Sequence, residues 1–173
     1  METVHISSFE TPIGTLRVAS TEKGLGYVEL PRANGCGLRG WLHRHLPEAD
    51  CVEPGERNRT AIAQILEYLN GERTEFDLPL DLRGTKFQHR VWEALLEIPF
   101  GERRSYRDIA VAVGRPTALR PVGAANGCNP VSLVVPCHRV IASNGKLGGY
   151  GGGVALKARL LAMETRAGGD RLL

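Results

Sequence analysis

One short stretch of the chain combines reactive side chains with apolar neighbours. Residues 134–141 read Val-Val-Pro-Cys-His-Arg-Val-Ile, so the thiol of Cys137 is followed directly by an imidazole and a guanidinium. Valine and isoleucine favour a buried strand, which Pro136 interrupts because proline cannot donate a ladder hydrogen bond. Cysteine attacks as its thiolate, and a histidine or positive charge beside it lowers its pKa. Taken alone, the stretch fits a buried structural cysteine better than a nucleophilic one, so the rest of the chain must decide between the two.

The composition is that of a globular protein. The chain has 173 residues, of which 42% are hydrophobic and 24% charged, enough for one large domain or two small ones. No apolar run approaches the ~20 residues of a membrane span, and residues 1–10 lack the apolar core of a signal peptide. The four cysteines have no short paired spacing, which predicts reduced thiols in a cytoplasmic protein.

Charge is distributed unevenly along the chain. Residues 1–83 contain 9 Lys/Arg and 13 Asp/Glu, a net charge of −4, whereas residues 84–173 contain 13 and 6, a net charge of +7. The sign changes at Arg83-Gly84, which we take as the domain boundary. A basic second domain predicts a polyanionic partner, with a solvated basic surface as the alternative.

The first half predicts a small antiparallel sheet with a helix. Alternation and periodicity predict strands at 15–19, 25–30 and 74–82, helices at 41–46 and 58–69, and loops at 31–40 and 47–56. Gly71 lies where a helix-terminating glycine is expected. Residues 1–83 therefore read as an α/β support domain.

The second half predicts a mainly helical domain. Thr85 precedes Gln88, and Ser105 precedes Asp108, by the three residues of a helix-capping box. With Thr117 as a further cap, the pattern predicts helices at 86–98, 105–113, 118–125 and 154–163, a strand at 131–141 and a frayed tail at 167–173.

The two helices within 105–125 have helix-turn-helix spacing. They carry clustered arginines, which suit phosphates, although an ordinary helical hairpin would also fit. The fold class is therefore α/β (α+β), a small N-terminal sheet with a helix followed by a winged-helix-like domain.

Several ordered motifs resemble those of the O6-alkylguanine-DNA alkyltransferases, a family that repairs alkylated DNA. Pro-Cys-His-Arg-Val at 136–140 matches the family's active-site signature. The resemblance covers roughly residues 85–165, and residues 1–80 share only a strand–strand–helix order. Its other motifs are Gly101 through Ser105-Tyr106, Gly114-x-Pro116, Arg120-x-Val122-Gly123, Asn129-Pro130, and Gly149-Tyr150 with Gly152-Gly153.

The resemblance implies a single, irreversible transfer of an alkyl group from guanine O6 to Cys137. His138 would act as the base through a water, and Glu164 would hold the imidazole in the useful tautomer, the logic of nucleophile, base and orienter. Asn129 would brace the loop beneath Cys137. Because the thioether is stable, the protein would be a single-turnover methylated-DNA–protein-cysteine S-methyltransferase that needs no cofactor.

The resemblance also implies how the flipped base is held. Tyr106 would donate to guanine N3, and the Gly151 amide would assist at O6, where negative charge develops. The backbone carbonyls of Cys137 and Val140 would read the exocyclic amine.

The expected partner is double-stranded DNA carrying alkylated guanine, bound by a monomer without a membrane. Arg120 would enter the base stack and replace the flipped nucleotide, with the second helix of the pair in the minor groove. Ser105 is also expected to contact the DNA. O4-alkylthymine is a further expected substrate.

Three features depart from the family pattern or test it. Pro121 follows the arginine, so we expect the recognition helix to start late or to have a loosened first turn. Gly151, together with Ser132, suggests a pocket roomy enough for alkyl groups bulkier than methyl. Two histidines and two cysteines of the first half, Cys36, His43, His45 and Cys51, lack the paired spacing of a zinc site, and no metal is expected.

Two other classes of protein remain as alternatives. One is a helix-turn-helix regulator in which Cys137 is merely buried, and the other is a cysteine hydrolase with a distant histidine. The regulator has no need of Cys-His-Arg after a proline or of Glu164, and the hydrolase has no use for Arg120 and the basic helix pair.

Overall fold

The computed structural model of the chain describes residues 1–32 and 36–170. The chain forms two compact units. The first comprises Met1–Arg83 together with Pro130–Val134, and the second comprises Gly84–Asn129 and the chain from Val135 onward. None of the helices in the described part of the chain is long and apolar enough to cross a membrane.

The first unit is built on a four-stranded sheet. Its strands are β1 (Thr3–Thr11), β2 (Gly14–Thr21), β3 (Gly24–Glu29) and β4 (Asp50–Val52), in the order β3-β2-β1-β4. The pairing of β2 with β3 is antiparallel, as predicted. β4 instead pairs parallel to β1 at the edge, so the sheet is mixed, and the loop expected at 47–56 contains a strand.

Among the described residues of the first unit, two α-helices accompany the sheet, α1 (Gly37–His45) and α2 (Arg59–Leu69). α2 lies where its periodicity predicts, and Gly71 follows it with a φ of 76°. α1 begins before the predicted residue 41, and its Leu38 and Trp41 enter the apolar cluster with Val4 and Ile6 of β1. The expected loop at 31–40 is therefore partly helix, and residues 33–35 of it lie outside the described residues.

The strand predicted at 74–82 is wrong. In this segment only Leu80 forms a bridge, to Leu25, and backbone hydrogen bonds from Leu25 to Pro79 and from Asp81 to Leu25 fix it beside β3. Pro79 interrupts the alternation of this segment and cannot donate a ladder hydrogen bond, so an alternating pattern alone was not enough to form a strand.

We expect Gly24→Ala to destabilise the first unit by about 3 kcal/mol or more. Gly24 has a φ of +148°, and a Cβ there would lie 2.3 Å from the carbonyl oxygen of Pro79, a backbone atom. Gly71→Ala is the matched control, because its φ is also positive (+76°) but nothing lies within 4 Å. Urea unfolding of both variants checks this, and equal losses would show that the close approach is unimportant.

In its described residues, the second unit contains four α-helices and a short two-stranded ladder. The helices are α3 (Lys86–Leu96), α4 (Tyr106–Ala112), α5 (Leu119–Gly127) and α6 (Val154–Asp170). Thr85 and Ser105 form complete capping boxes with Gln88 and Asp108, as predicted. β5 (Arg104–Ser105) pairs parallel with β6 (Val140–Ile141), and this ladder joins the start of α4 to the chain that follows Cys137.

The recognition helix α5 starts late, as the proline predicts. It begins at Leu119, so Pro121 is its third residue. A backbone N–H in this first turn has no intrahelical partner, so the helix loses no hydrogen bond when proline stands there. The prediction that Thr117 caps this helix is wrong. Ala118 occupies the cap position and offers no side-chain hydrogen bond, because a tight turn from Arg115 to Ala118 precedes the helix.

The strand predicted over 131–141 is also wrong. Val131 forms one bridge with Val28, Leu133 has a φ of 75°, and residues Cys137–Arg139 form a 3₁₀ turn before the two-residue strand β6. A continuous apolar run indicates that a segment is buried, but a segment buried on all sides need not be a strand.

α6 extends beyond the predicted end at Met163 and continues to Asp170. Lys157, Leu160, Leu161 and Glu164 lie at positions i, i+3, i+4 and i+7 and are at most 2% exposed, so they form its buried face. The frayed tail expected at 167–173 falls partly on residues 171–173, which lie outside the described residues.

Candidate active site

Cys137 lies at the start of the 3₁₀ turn and is 5% exposed. Its backbone N–H donates to the carbonyl of Val135 at 2.8 Å. The side-chain amide of Asn129 donates to the same carbonyl at 2.7 Å, which gives Asn129 the bracing position expected of it. These two hydrogen bonds meet at the Val135 carbonyl and fix the loop immediately before the thiol.

The imidazole of His138 meets the carboxylate of Glu164. His138 Nε2 lies 2.7 Å from Glu164 Oε2, and both side chains are buried, at 0% and 1% exposure. α6 carries Glu164 on its buried face, so the helix brings a residue from far along the chain back to the turn. This is the contact that the resemblance implied between the base and its orienter.

Arg139 is a further member of this network, and its importance did not follow from the sequence. Its guanidinium donates to both carboxylate oxygens of Glu164, at 2.8 and 3.1 Å, and to the carbonyl of Ile98 at 2.7 Å. The backbone N–H of Gly101 adds a bond of 3.3 Å to Glu164 Oε1. Glu164 is therefore fixed from three directions.

The protonation states follow from these contacts. Burial alone would raise the pKa of Glu164, but the hydrogen bonds from His138 and Arg139 lower it to about 2. Burial lowers the pKa of His138 despite the neighbouring Glu164 carboxylate. At neutral pH the glutamate is ionised and the imidazole neutral, so Nε2 carries the proton that faces Glu164 and Nδ1 is the basic nitrogen.

Opposing effects act on the pKa of the Cys137 thiol. Burial raises its pKa, while a hydrogen bond from Asn129 and the positive charge of Lys157 lower it. A buried thiol of this kind stays protonated at neutral pH until a base removes its proton. The adjacent neutral imidazole of His138 can serve as that base.

Lys157 is a site residue that sequence reasoning missed. Its side chain is 0% exposed, and its ammonium donates to the carbonyls of Val140 at 2.6 Å and Gly149 at 3.2 Å. A signal was available, because Lys157 and Glu164 are charged residues on the otherwise apolar face of a helix.

Tyr106 is the first residue of α4 and is half-buried. The Lys157 ammonium lies 5.9 Å from the centroid of its ring, and Gly148 approaches so closely that a Cβ would lie 2.9 Å from the hydroxyl. Burial, followed by the nearby Cys137, raises the pKa of Tyr106. The phenol therefore remains a proton donor at neutral pH.

The remaining predicted residues differ in exposure, from the buried Val140 to the exposed Arg120 and Gly151. Arg120 is exposed as the second residue of α5, and Gly151 is exposed in the loop before α6. Ser105 accepts the backbone N–H of Asp108 as the cap of α4, which is a structural role. Val140 contributes its backbone carbonyl, which already accepts from Lys157.

No metal centre is found in the described part of the chain, where no three His, Cys, Asp or Glu side chains gather closely enough to hold an ion. Cys36, Cys51 and Cys128 are free and exposed, and Cys137 is free and buried.

Family models match both halves of the chain. The 6-O-methylguanine DNA methyltransferase DNA-binding domain matches residues 86–166, and the ribonuclease-like domain of the same proteins matches residues 4–82. The methylated-DNA–protein-cysteine methyltransferase of Mycobacterium tuberculosis H37Rv is 58% identical over 173 residues, covering 98% of each chain. This chain belongs to that family. The namesake from Methanosarcina barkeri is 44% identical over 155 residues, or 90% of this chain and 93% of the relative.

Solved structures agree with this assignment. The crystal structure of M. tuberculosis OGT in complex with DNA superposes with a TM-score of 0.82 at 43% identity, covering 94% of each chain. The O6-methylguanine-DNA methyltransferase of Pyrococcus kodakaraensis shares the fold, with a TM-score of 0.61 at 23% identity. The expected family and fold class are thereby confirmed.

Proposed function

We propose that this protein repairs DNA by moving the alkyl group of O6-alkylguanine irreversibly onto Cys137. The observation that carries the proposal is the buried contact between His138 and Glu164 directly beside that cysteine, in a chain of this family. The names of the relatives support methyl as one of the groups that are transferred and a protein cysteine as the acceptor. No cofactor takes part, because the lesion supplies the alkyl group.

The reaction begins with proton removal from the thiol. His138 takes the proton through Nδ1 by way of a water, while Glu164 stabilises the imidazolium that forms. The sulfur then attacks the alkyl carbon, forming an S–C bond as the C–O6 bond breaks. The electron pair of the broken bond passes to the guanine, which takes up a proton to become the normal base. The thioether persists, so each molecule acts once.

The leaving guanine needs stabilisation where its negative charge develops. Tyr106 keeps its proton at neutral pH and donates a hydrogen bond to N3, and the Gly151 amide assists at O6. The carbonyls of Cys137 and Val140 read the exocyclic amine. Asn129 supports these groups indirectly by holding the loop.

DNA binding is assigned to the second unit, with the first unit as its support. O6 lies inside the stacked duplex, and an in-line attack requires the nucleotide to leave the stack, at a cost of a few kcal/mol. Arg120 takes the place of that nucleotide from the minor groove. Its exposure at the start of α5 supports this role, and among the described residues it forms no salt bridge that would restrain it.

Mass spectrometry of the intact protein tests the reaction. After incubation with a duplex carrying O6-methylguanine, Cys137 should gain one CH₂ once, and Cys137→Ser should gain nothing. An unmodified protein that still binds the duplex would favour the helix-turn-helix regulator. Repeated turnover of an ester or amide would favour the cysteine hydrolase.

We expect Arg120→Ala to slow transfer from duplex DNA by about tenfold or more. Transfer from the same oligonucleotide as a single strand should change much less, because no paired stack must be opened. Arg120→Lys retains the positive charge but lacks the planar guanidinium. Its transfer rate therefore separates the attraction to phosphate from the filling of the base stack. Equal slowing of both substrates by Arg120→Ala would contradict the stack-filling role.

Three finer points belong to the same proposal. The protein acts as a monomer in the cytoplasm, in keeping with its four free cysteines. O4-alkylthymine is a second substrate. The absence of a side chain at Gly151, where nothing lies within 4 Å of a built Cβ, leaves room for alkyl groups larger than methyl.

The pocket size can be tested with Gly151→Ser. Transfer of benzyl from guanine should slow more than transfer of methyl in this variant, and equal rate ratios before and after the substitution would remove the idea.

A further inference from the structure

Lys157 is a buried cation that takes no direct part in the steps of the proposed reaction. It is 0% exposed, and within the described part of the chain it forms no salt bridge. Its ammonium is satisfied by two backbone carbonyls, Val140 at 2.6 Å and Gly149 at 3.2 Å. Burying an ammonium among neutral partners is costly, so the contact is expected to serve the site.

Asn126 makes a similar contact at a second carbonyl. It lies on α5 at 5% exposure, and its side-chain amide donates to the carbonyl of Cys137 at 3.4 Å. Its own side-chain oxygen is buried and has no hydrogen-bond partner among the described residues. The arrangement is unfavourable for stability alone, because an unsatisfied buried acceptor is destabilising.

The two carbonyls that these side chains contact are the pair assigned to reading guanine. A carbonyl oxygen has two lone pairs, so a side-chain donor that takes one leaves the other for an incoming amine. The donor also fixes the direction in which the free lone pair points. Lys157 does this from α6 for Val140. The Cys137 carbonyl also accepts the N–H of Val140 at the end of the 3₁₀ turn, so the longer contact from Asn126 on α5, at 3.4 Å, orients the lone pair that it shares with the amine.

We propose that Lys157 and Asn126 are positioning residues that hold the carbonyls of Val140 and Cys137 for the exocyclic 2-amino group of the alkylated guanine, an inference that rests on the proposed function. A base without the 2-amino group offers no hydrogen-bond donor to these fixed, buried carbonyls. Its binding leaves the carbonyl oxygens unpaired, which lowers its affinity for the site. The two side chains thus set the preference of the site for guanine over purines that lack the amine.

The proposal is tested by comparing two substrates that differ in this amine alone. Single-event transfer rates are measured for matched duplexes carrying O6-methylguanine or O6-methylhypoxanthine, which lacks the 2-amino group. Wild-type protein should prefer the guanine by about tenfold or more. Lys157→Met and Asn126→Ala should each reduce that preference by about threefold or more. The rate ratio cancels any effect on the thiol, since both substrates require the same nucleophile.

Lys146→Met is the matched control, because it removes an exposed lysine from the loop that Gly149 belongs to. Its ratio should equal that of the wild type. If a variant reacts too slowly to measure, the ratio of its affinities for the two duplexes on a Cys137→Ser background provides the same comparison. If Lys157→Met does not fold, Asn126→Ala decides the outcome.

The outcomes separate this inference from the proposed function. Variants that slow both substrates equally and keep the wild-type ratio would overturn the positioning role, leaving Lys157 and Asn126 as structural residues. A wild-type protein that accepts no methyl group from either duplex would instead overturn the proposed function.

Discussion

Glu164→Gln is expected to lower the rate of alkyl transfer to Cys137 by about a hundredfold or more. In the proposed reaction, the glutamate orients the His138 ring and stabilises the imidazolium that forms when the thiol loses its proton. A glutamine of the same shape lacks the charge for that task, and its amide can force the imidazole into the wrong tautomer. Single-turnover transfer from a methylated duplex measures the loss.

The same substitution should weaken folding. Arg139 would be left buried without a counter-charge, and breaking a buried pair in this way typically costs about 3–5 kcal/mol. Glu102→Gln is the control, since Glu102 is an exposed neighbour whose partner Arg104 is also partly exposed. Near wild-type transfer by a folded Glu164→Gln protein would contradict the role of Glu164 as orienter.

Glu164 also predicts how stability depends on pH. Its pKa in the folded protein is about 2, below the ordinary 4.5, so its contribution is complete above about pH 4.5 and is lost as the pH falls towards 2. A depression of that size is worth on the order of 3 kcal/mol. Urea unfolding between pH 6 and pH 3 should show a steeper loss for the wild type than for Glu164→Gln, and parallel losses would refute this assignment.

Two capping boxes and one proline correctly indicated where a helix starts, whereas the cap expected at Thr117 did not form. The capping boxes at Thr85 and Ser105 depend on residues three apart and formed as predicted. Pro121 likewise restricted where α5 could begin, because proline is tolerated only in the first turn. In each case, side chains within one turn of the helix decide the outcome, and the sequence displays them directly.

The segments that failed depend on tertiary partners. The apolar run before Cys137 became a bridge, a left-handed residue at Leu133 and a 3₁₀ turn. The strand β4 exists because β1 offers it an open edge. Neither the partner nor its register is visible in the local pattern, so periodicity alone misassigns both segments.

The predictions of the site residues divide in a similar way. The resemblance pointed to Cys137, His138 and Glu164, and the structure places the last two in contact. The resemblance did not point to Lys157 or to the hydrogen bonds from Arg139 to Glu164, because both depend on how α6 packs against the turn. Charged residues spaced along the buried face of that helix were the available sign.

Gly148→Ala is expected to slow transfer by about tenfold to a hundredfold through displacement of Tyr106. A Cβ at this position would lie 2.9 Å from the tyrosine hydroxyl and 3.2 Å from its ring, so the phenol must move away from its proposed contact with guanine N3. The φ of +73° adds backbone strain of about 1–2 kcal/mol for a residue with a side chain. Transfer rates and urea unfolding separate the two effects.

Gly145→Ala isolates the strain, because Gly145 lies in the same loop with a φ of +84° and has nothing within 4 Å. Both variants should lose similar stability, but only Gly148→Ala should lose the larger factor in rate. A double-mutant cycle with Tyr106→Phe then identifies the route. If the methyl group acts by moving the hydroxyl, adding Gly148→Ala to Tyr106→Phe should cost little further rate. A full additional loss would mean that Gly148 acts on the loop and Gly151 rather than on Tyr106.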